Sequence, residues 1–120
     1  MKKLALLLIA LTALCAALPA SLRADTLDDI RKRGTLRVGM EPGYMPFELT
    51  NKKGEIIGFD VDVAKRMAKA LGVKLELVST AWDGIIPSLI TSKFDIIMSG
   101  MTITAERAKA SSASSKRPRR

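Results

Sequence analysis

The sequence has no histidine, and its one cysteine is Cys15. Zinc sites built from cysteine and histidine therefore cannot form. A catalytic thiol or an imidazole base is also excluded from the part of the chain that follows Cys15. Aromatic residues are scarce as well, at 4% of the 120 residues. We accordingly expect no metal site, no catalytic residues and no cofactor.

The first 24 residues predict a secretory signal peptide. Lys2 and Lys3 precede an apolar run from Leu4 to Leu18, which is shorter than the ~20 residues that span a bilayer. Small residues follow, and they fit cleavage after Ala20 or Ala24. A retained membrane anchor is the alternative. We expect the mature protein to be periplasmic.

The formal net charge of +8 comes from the two ends of the chain. Between Asp25 and Ala110 there are 13 basic and 12 acidic residues, so this part gives no electrostatic case for binding nucleic acid. Ser111 to Arg120 is rich in serine and arginine and predicts a disordered basic tail. We interpret that tail as frameshift or gene-end sequence, and a functional membrane- or nucleic-acid-binding tail is the alternative.

Apolar periodicity and helix-breaking residues predict one small α/β domain over residues 25–110. The predicted order is a helix at Thr26–Arg33, a strand at Thr35–Met40, a hairpin around Asn51–Gly54, a helix between Asp60 and Gly72, a strand at Val73–Val78, a helix at Ile85–Ile90 and a strand at Asp95–Met98. In the second helix, Asp60 is the predicted cap, Gly72 is the predicted stop, and one face carries Ala64, Met67, Ala68 and Leu71. In the third helix, Pro87 lies near the predicted first turn. This order predicts a largely parallel sheet with right-handed crossovers.

Three loops follow the carboxyl ends of the predicted strands, where open parallel sheets bind ligands. The chain's one tyrosine, Tyr44, and its one tryptophan, Trp82, both lie in these loops. Together they predict a flat apolar clamp for a ligand side chain, and packing against the core or the rim is the alternative.

The run from Ser99 to Arg107 favours a small zwitterion. Thr104 is a predicted helix cap, and the helix start favours an anion. Arg107 offers a planar fork for a carboxylate, and the alternative is a solvated helix charge. The carbonyl of Ser99 or Gly100 and the Thr102 hydroxyl can accept hydrogen bonds from an ammonium. The pair Asp60 and Asp62 is better explained by helix capping than by acid–base chemistry.

Three stretches of the sequence stand out, namely Gly58–Ala68, Trp82–Leu89 and Asp95–Thr104. In their order and spacing they resemble the family 3 periplasmic solute-binding proteins, the polar amino-acid receptors of ABC importers. The resemblance covers about Leu27 to Ala110. It implies the first lobe of a two-lobed type II periplasmic-binding-protein fold, which is incomplete here because the second lobe is missing.

The resemblance also implies a role for each ligand-binding position. Tyr44 and Trp82 match the residues that sandwich the ligand side chain, and Glu41 matches a position that can meet a cationic side chain. Gly100 and Thr102, beside Ser99, match the residues that bind the α-ammonium and α-carboxylate, and Arg107 matches the arginine that pairs with the α-carboxylate. Ala105 departs from the family, where proline often opens the helix.

We therefore expect the amino-acid-binding component of an ABC importer, a monomer whose partner is the membrane permease. The missing lobe would supply an acidic partner for the ammonium and exclude water, so we expect this truncated fragment to bind weakly or not at all. Glu41 favours a basic or polar amino acid. The alternatives are a ligand-sensing receptor domain and a cyclohexadienyl-dehydratase-like enzyme on the same fold.

Overall fold

A computed structural model describes residues 26–115 as a mixed α/β fold. Its elements are α1 (Thr26–Arg33), β1 (Thr35–Met40), β2 (Leu49–Thr50), β3 (Ile56–Ile57), α2 (Phe59–Leu71), β4 (Lys74–Ser79), α3 (Trp82–Ile90), β5 (Ile96–Ile97) and α4 (Ala105–Ser115). The predicted order of helices and strands is confirmed. Within residues 26–115, no helix combines the length and the apolar character needed to cross a membrane.

The main sheet has three strands in the order β4-β1-β5. Both pairings are parallel, and Val38 of β1 lies opposite Leu77 on one side and Ile96 on the other. The strands β2 and β3 form a separate antiparallel hairpin, in which Leu49 lies opposite Ile57. The parallel sheet predicted from the sequence is therefore confirmed, and its carboxyl ends share one edge.

The core lies on both faces of β1, because successive side chains of a strand point to opposite faces. One face carries a cluster shared with α1 and α2: Ile30, Leu36, Val38, Met40, Val61, Ala64 and Ala68. On the other face, Phe94 is fully buried against Gly39, where an added Cβ would lie 2.4 Å from its ring. The prediction that Met67 joins the buried face of α2 is wrong, since Met67 is 37% exposed.

The start of α2 differs from the prediction of an Asp60 cap. Gly58 is the N-cap residue and makes no side-chain cap. The first amides of the helix are satisfied by the preceding loop instead, since Asp60 N donates to the carbonyl of Phe47 at 2.9 Å and Phe59 N to that of Pro46 at 3.2 Å. The other end agrees with the prediction, because Gly72 ends the helix in a left-handed conformation.

The bounds of the two later helices also differ from the predicted bounds. The helix α3 begins at Trp82, so Pro87 lies inside it rather than near its first turn. Thr104 caps α4 as predicted, accepting a hydrogen bond from Arg107 N at 3.2 Å. This helix continues through the predicted tail boundary to Ser115. The signal-peptide residues and the basic residues 116–120 lie outside the described part of the chain.

A buried carboxylate fixes β5 beside β1 at the amino end of the sheet. The Asp95 side chain is fully shielded from solvent and forms ion pairs with Arg33 and Arg37. It also accepts a hydrogen bond from Arg37 N at 2.8 Å. Because β5 is only two residues long, we infer that this ion-pair network helps to hold it in register.

Candidate functional site

The carboxyl edge of the sheet gathers the loops that the sequence singled out. The loops after β1 and β4 are held together where Thr80 N donates to the carbonyl of Met40 at 2.9 Å. The loop after β5 is held where Met98 N donates to the carbonyl of Gly39 at 3.0 Å. The loops therefore begin from one rigid edge, as expected for a ligand site on a parallel sheet.

A cavity of about 490 Å³, here called the loop pocket, opens between these loops. Its lining consists of Glu41, Pro42, Gly43, Tyr44, Glu48, Trp82, Ser99 and Gly100. The structure thus brings together five of the seven residues predicted to bind ligand. A cavity of this size suits a small molecule.

The two aromatic residues form exposed walls of the loop pocket. Tyr44 is 56% exposed and Trp82 is 37% exposed, so neither ring is consumed by core packing. The Tyr44 ring lies beside that of Phe47, with 5.2 Å between centroids. It also lies against Gly100, where an added Cβ would be 2.9 Å from a ring carbon. Gly100 therefore permits the close approach of Tyr44.

Arg107 lies beside the loop pocket rather than in its lining. Its guanidinium carbon is 5.5 Å from the centre of the Trp82 ring, within the range of a cation–π contact. Its Nη1 donates to the carbonyl of Thr102 at 3.0 Å. A guanidinium has five N–H donors, so donors beyond this bond remain to meet a carboxylate.

Thr102 is a predicted binding residue that the structure places outside the lining of the loop pocket. It lines a second cavity of about 440 Å³ together with Arg107, mainly among apolar side chains of α3, β5 and α4. We call this cavity the α3–α4 groove. Thr102 is exposed and does not line the loop pocket.

Ser99 is buried, and its hydroxyl is occupied by protein partners. Its Oγ accepts a hydrogen bond from Glu41 N at 3.0 Å and donates one to Glu48 at 2.5 Å. The hydroxyl is therefore engaged within the protein, whereas the ammonium contact predicted from the sequence involves the carbonyl of Ser99 or Gly100 instead.

Three residues that line the loop pocket were not predicted as site residues, namely Pro42, Gly43 and Glu48, and Glu48 is the charged one among them. It is 1% exposed, although a carboxylate is rarely buried to that degree. Burial raises the pKa of the Glu48 carboxyl, the negative charges of Asp60 and Glu41 raise it further, and the Ser99 hydrogen bond lowers it. The local sequence gave no sign of this burial, because a charged residue between the apolar residues Phe47 and Leu49 is expected to face water.

The electrostatic character of the loop pocket is acidic. Glu41 and Glu48 contribute carboxylates, and no lysine or arginine is among the described lining residues. The edge therefore combines aromatic walls and acidic groups with one arginine beyond Trp82. Among residues 26–115, no three His, Cys, Asp or Glu side chains cluster so as to hold a metal ion.

Comparison with known proteins identifies similar chains. The model for the bacterial extracellular solute-binding proteins, family 3, matches residues 36–117. The histidine-binding periplasmic protein of Escherichia coli K12 is 43% identical over 72 residues, 60% of this chain and 28% of that protein. The cyclohexadienyl dehydratase of Pseudomonas aeruginosa is 41% identical over 102 residues, 83% of this chain and 38% of that protein. The chain thus spans about a third of the length of these relatives.

Comparison with solved structures also finds amino-acid-binding proteins. An ancestral cationic amino acid solute-binding protein matches with a TM-score of 0.68 and 64% identity, covering 70% of this chain and 37% of the other. The arginine-bound form of domain 1 from TmArgBP, the ArgBP of T. maritima, matches with a TM-score of 0.66 and 54% identity. That match covers 68% of this chain and 65% of the domain. The described fold is therefore similar to a single lobe of such proteins.

Proposed function

This chain belongs to the family 3 bacterial extracellular solute-binding proteins, and we propose that its loop pocket binds a free amino acid with a cationic side chain. The observation that carries the proposal is the acidic lining: two carboxylates and no basic residue among the described lining residues, beside exposed aromatic walls. A positive group between such walls gains Coulomb attraction from the carboxylates and cation–π attraction from the rings. Two structural neighbours, the ancestral cationic amino acid solute-binding protein and the arginine-bound domain 1 of TmArgBP, support this ligand class.

The ligand's three functional groups have separate partners in this proposal. The side chain lies between Tyr44 and Trp82, with its charged end toward Glu41. The α-carboxylate pairs with the guanidinium of Arg107, which already lies over the Trp82 ring. The α-ammonium donates to the carbonyl of Ser99 or Gly100, and the Thr102 hydroxyl adds an acceptor only if its loop moves toward the loop pocket.

We propose that residues 26–115 by themselves bind this ligand more weakly than a two-lobed relative does. The loop pocket is lined from one sheet edge only, so water competes for each polar contact. A single lobe is still physically able to hold ligand, and the arginine-bound domain 1 of TmArgBP supports this part of the proposal. The wider role we propose is periplasmic capture of the amino acid for an ABC importer, as a monomer that meets a permease.

Titration calorimetry with free amino acids tests the proposal. We expect L-arginine and L-lysine to bind, and L-leucine and L-glutamate to bind at least about tenfold more weakly, since the lining of the loop pocket is acidic and the charged end of the side chain lies toward Glu41. L-lysine and L-leucine both have an aliphatic stem, so their comparison isolates the effect of the positive charge. Fluorescence gives a second readout, because Trp82 is the only tryptophan. Equal affinity for L-arginine and L-glutamate would contradict the ligand class.

A dehydratase is the second candidate, because 83% of this chain matches a cyclohexadienyl dehydratase at 41% identity. Loss of water from a cyclohexadienyl ring can yield an aromatic product, so ultraviolet absorbance reports the reaction. We expect no product, because the one buried acid of the loop pocket, Glu48, has its carboxyl closed to solvent. Steady formation of an aromatic product would favour the enzyme instead.

A further inference from the structure

We propose that Glu48 is a positioning residue of the loop pocket, holding Glu41 and Tyr44 in their binding positions before any ligand arrives. The inference rests on the proposed function in that the same cavity is the binding site. Glu48 reaches the loop in two independent ways, through its backbone and through its carboxylate. Neither way requires contact with the ligand.

The backbone of Glu48 closes the loop on Tyr44. Tyr44 N donates to the carbonyl of Glu48 at 2.9 Å, and Glu48 N donates to the carbonyl of Tyr44 at 3.0 Å. The two residues thus exchange both hydrogen bonds, as in a hydrogen-bonded pair of an antiparallel ladder. This pairing fixes the backbone from which the Tyr44 ring projects.

The carboxylate of Glu48 fixes the start of the same loop through Ser99. A serine hydroxyl has one proton to donate and two lone pairs. The proton is directed to Glu48, which leaves the lone pairs of Oγ to accept the hydrogen bond from Glu41 N. Glu48 therefore decides which way the Ser99 hydroxyl points, although the two residues are 51 positions apart.

Packing alone does not explain a carboxylate at this position. Burial of an ionisable group is unfavourable unless its hydrogen bonds compensate, and an apolar side chain of similar size would fill the space without that cost. The nearby charges of Asp60 and Glu41 add repulsion. Within residues 26–115, Oε2 of Glu48 makes no hydrogen bond. The polar contact that this side chain does make is the bond to Ser99.

Amide hydrogen exchange measured by NMR on the ligand-free chain tests the proposal directly. Glu48→Met removes the acceptor, so we expect the protection of the Glu41 amide to fall about tenfold, the effect of losing roughly 1.4 kcal/mol of hydrogen bonding. Glu48→Gln retains an acceptor and should lose clearly less. Glu55→Gln, an exposed glutamate of the hairpin, is the matched control and should leave the Glu41 amide unchanged.

Ser99→Ala gives an independent route to the same result. Ser99→Ala should reduce the protection of the Glu41 amide as Glu48→Met does. The double variant should lose little more protection than either single variant, because both substitutions break the same chain of hydrogen bonds. Unchanged protection in folded Glu48→Met or in Ser99→Ala would overturn the proposal. If Glu48→Met does not fold, Ser99→Ala with Glu48→Gln decides it.

Binding of L-arginine to the same variants separates this inference from the proposed function. We expect Glu48→Met to weaken binding about tenfold and Glu48→Gln to weaken it less, in the same order as the exchange rates. If wild-type protein binds no L-arginine, the proposed function fails while the exchange comparison still decides the role of Glu48. A loss of affinity that follows global stability rather than Glu41 protection would also overturn the proposal.

Discussion

Replacing Gly100 by alanine tests the contact between the loop after β5 and the Tyr44 ring. Gly100 has a φ of 55°, in the left-handed region that costs other L-residues about 1–2 kcal/mol. The new methyl group would also lie 2.9 Å from a Tyr44 ring carbon, closer than such atoms approach. The substitution therefore carries a backbone penalty and a steric one.

The two penalties should appear in different measurements. The backbone penalty lowers the free energy of unfolding by about 1–2 kcal/mol. The steric penalty adds little to that loss, because Tyr44 is 56% exposed and its ring can move outward. That movement displaces one aromatic wall, whose cation–π contact with the ligand contributes about 0.5–1 kcal/mol at an exposed ring, so we expect L-arginine to bind about twofold to fivefold more weakly.

Gly54→Ala is the matched control, because Gly54 also has a positive φ, of 80°, but has open space around its Cβ position. It should lose stability in urea denaturation and leave L-arginine binding unchanged in calorimetry. In a Tyr44→Ala background, Gly100→Ala should no longer weaken binding. An equal effect of the two glycine substitutions on affinity would refute the role of the Tyr44 contact.

Three further changes test other contacts of the site and the core. Arg107→Ala should weaken L-arginine binding about tenfold or more, because it removes a charge-assisted hydrogen bond to the α-carboxylate. Lys109→Ala, which removes an exposed cation on the same helix, should leave binding unchanged. Equal affinities of Arg107→Ala and wild type in calorimetry would contradict this assignment. Asp95→Ala should lower the free energy of unfolding in urea by about 2–3 kcal/mol, because it leaves two arginines without their carboxylate. Burial raises the pKa of Glu48 above its ordinary 4.5, so its contribution to stability is greatest below that pH and is lost as the pH rises through the folded-state pKa. The stability of Glu48→Gln relative to wild type should therefore increase as the pH rises above 4.5, and that of Glu55→Gln should not; a flat difference for Glu48→Gln would contradict the assigned burial.

Elements with local signals could be predicted from the sequence. The helix α1 and the strand β1 have their predicted bounds, since the break at Gly34 separates them and lies next to both. Gly72 likewise ends α2 as predicted, because a glycine at the end of a helix is a local signal. The start of α2 could not be predicted, because its first amides are satisfied by carbonyls of Pro46 and Phe47, which approach only in the folded chain.

The candidate site shows the same division between local and distant causes. Glu41, Tyr44 and Trp82 could be predicted to meet, because each follows the carboxyl end of a strand in one parallel sheet. Glu48 could not be found, because its partner Ser99 is distant in the sequence and its apolar neighbours suggest an exposed position. The prediction placed Thr102 in the same pocket, whereas the structure directs it toward the α3–α4 groove.

The central claim is that the loop pocket binds the cationic amino acid, and a ¹⁵N NMR titration with L-arginine tests it most directly. We expect shifts in the amides of Gly43 and Gly100 and in the indole N–H of Trp82, with little change at Ile86 and Leu89 in the α3–α4 groove. Shifts confined to the groove, or the same shifts with L-glutamate, would contradict it.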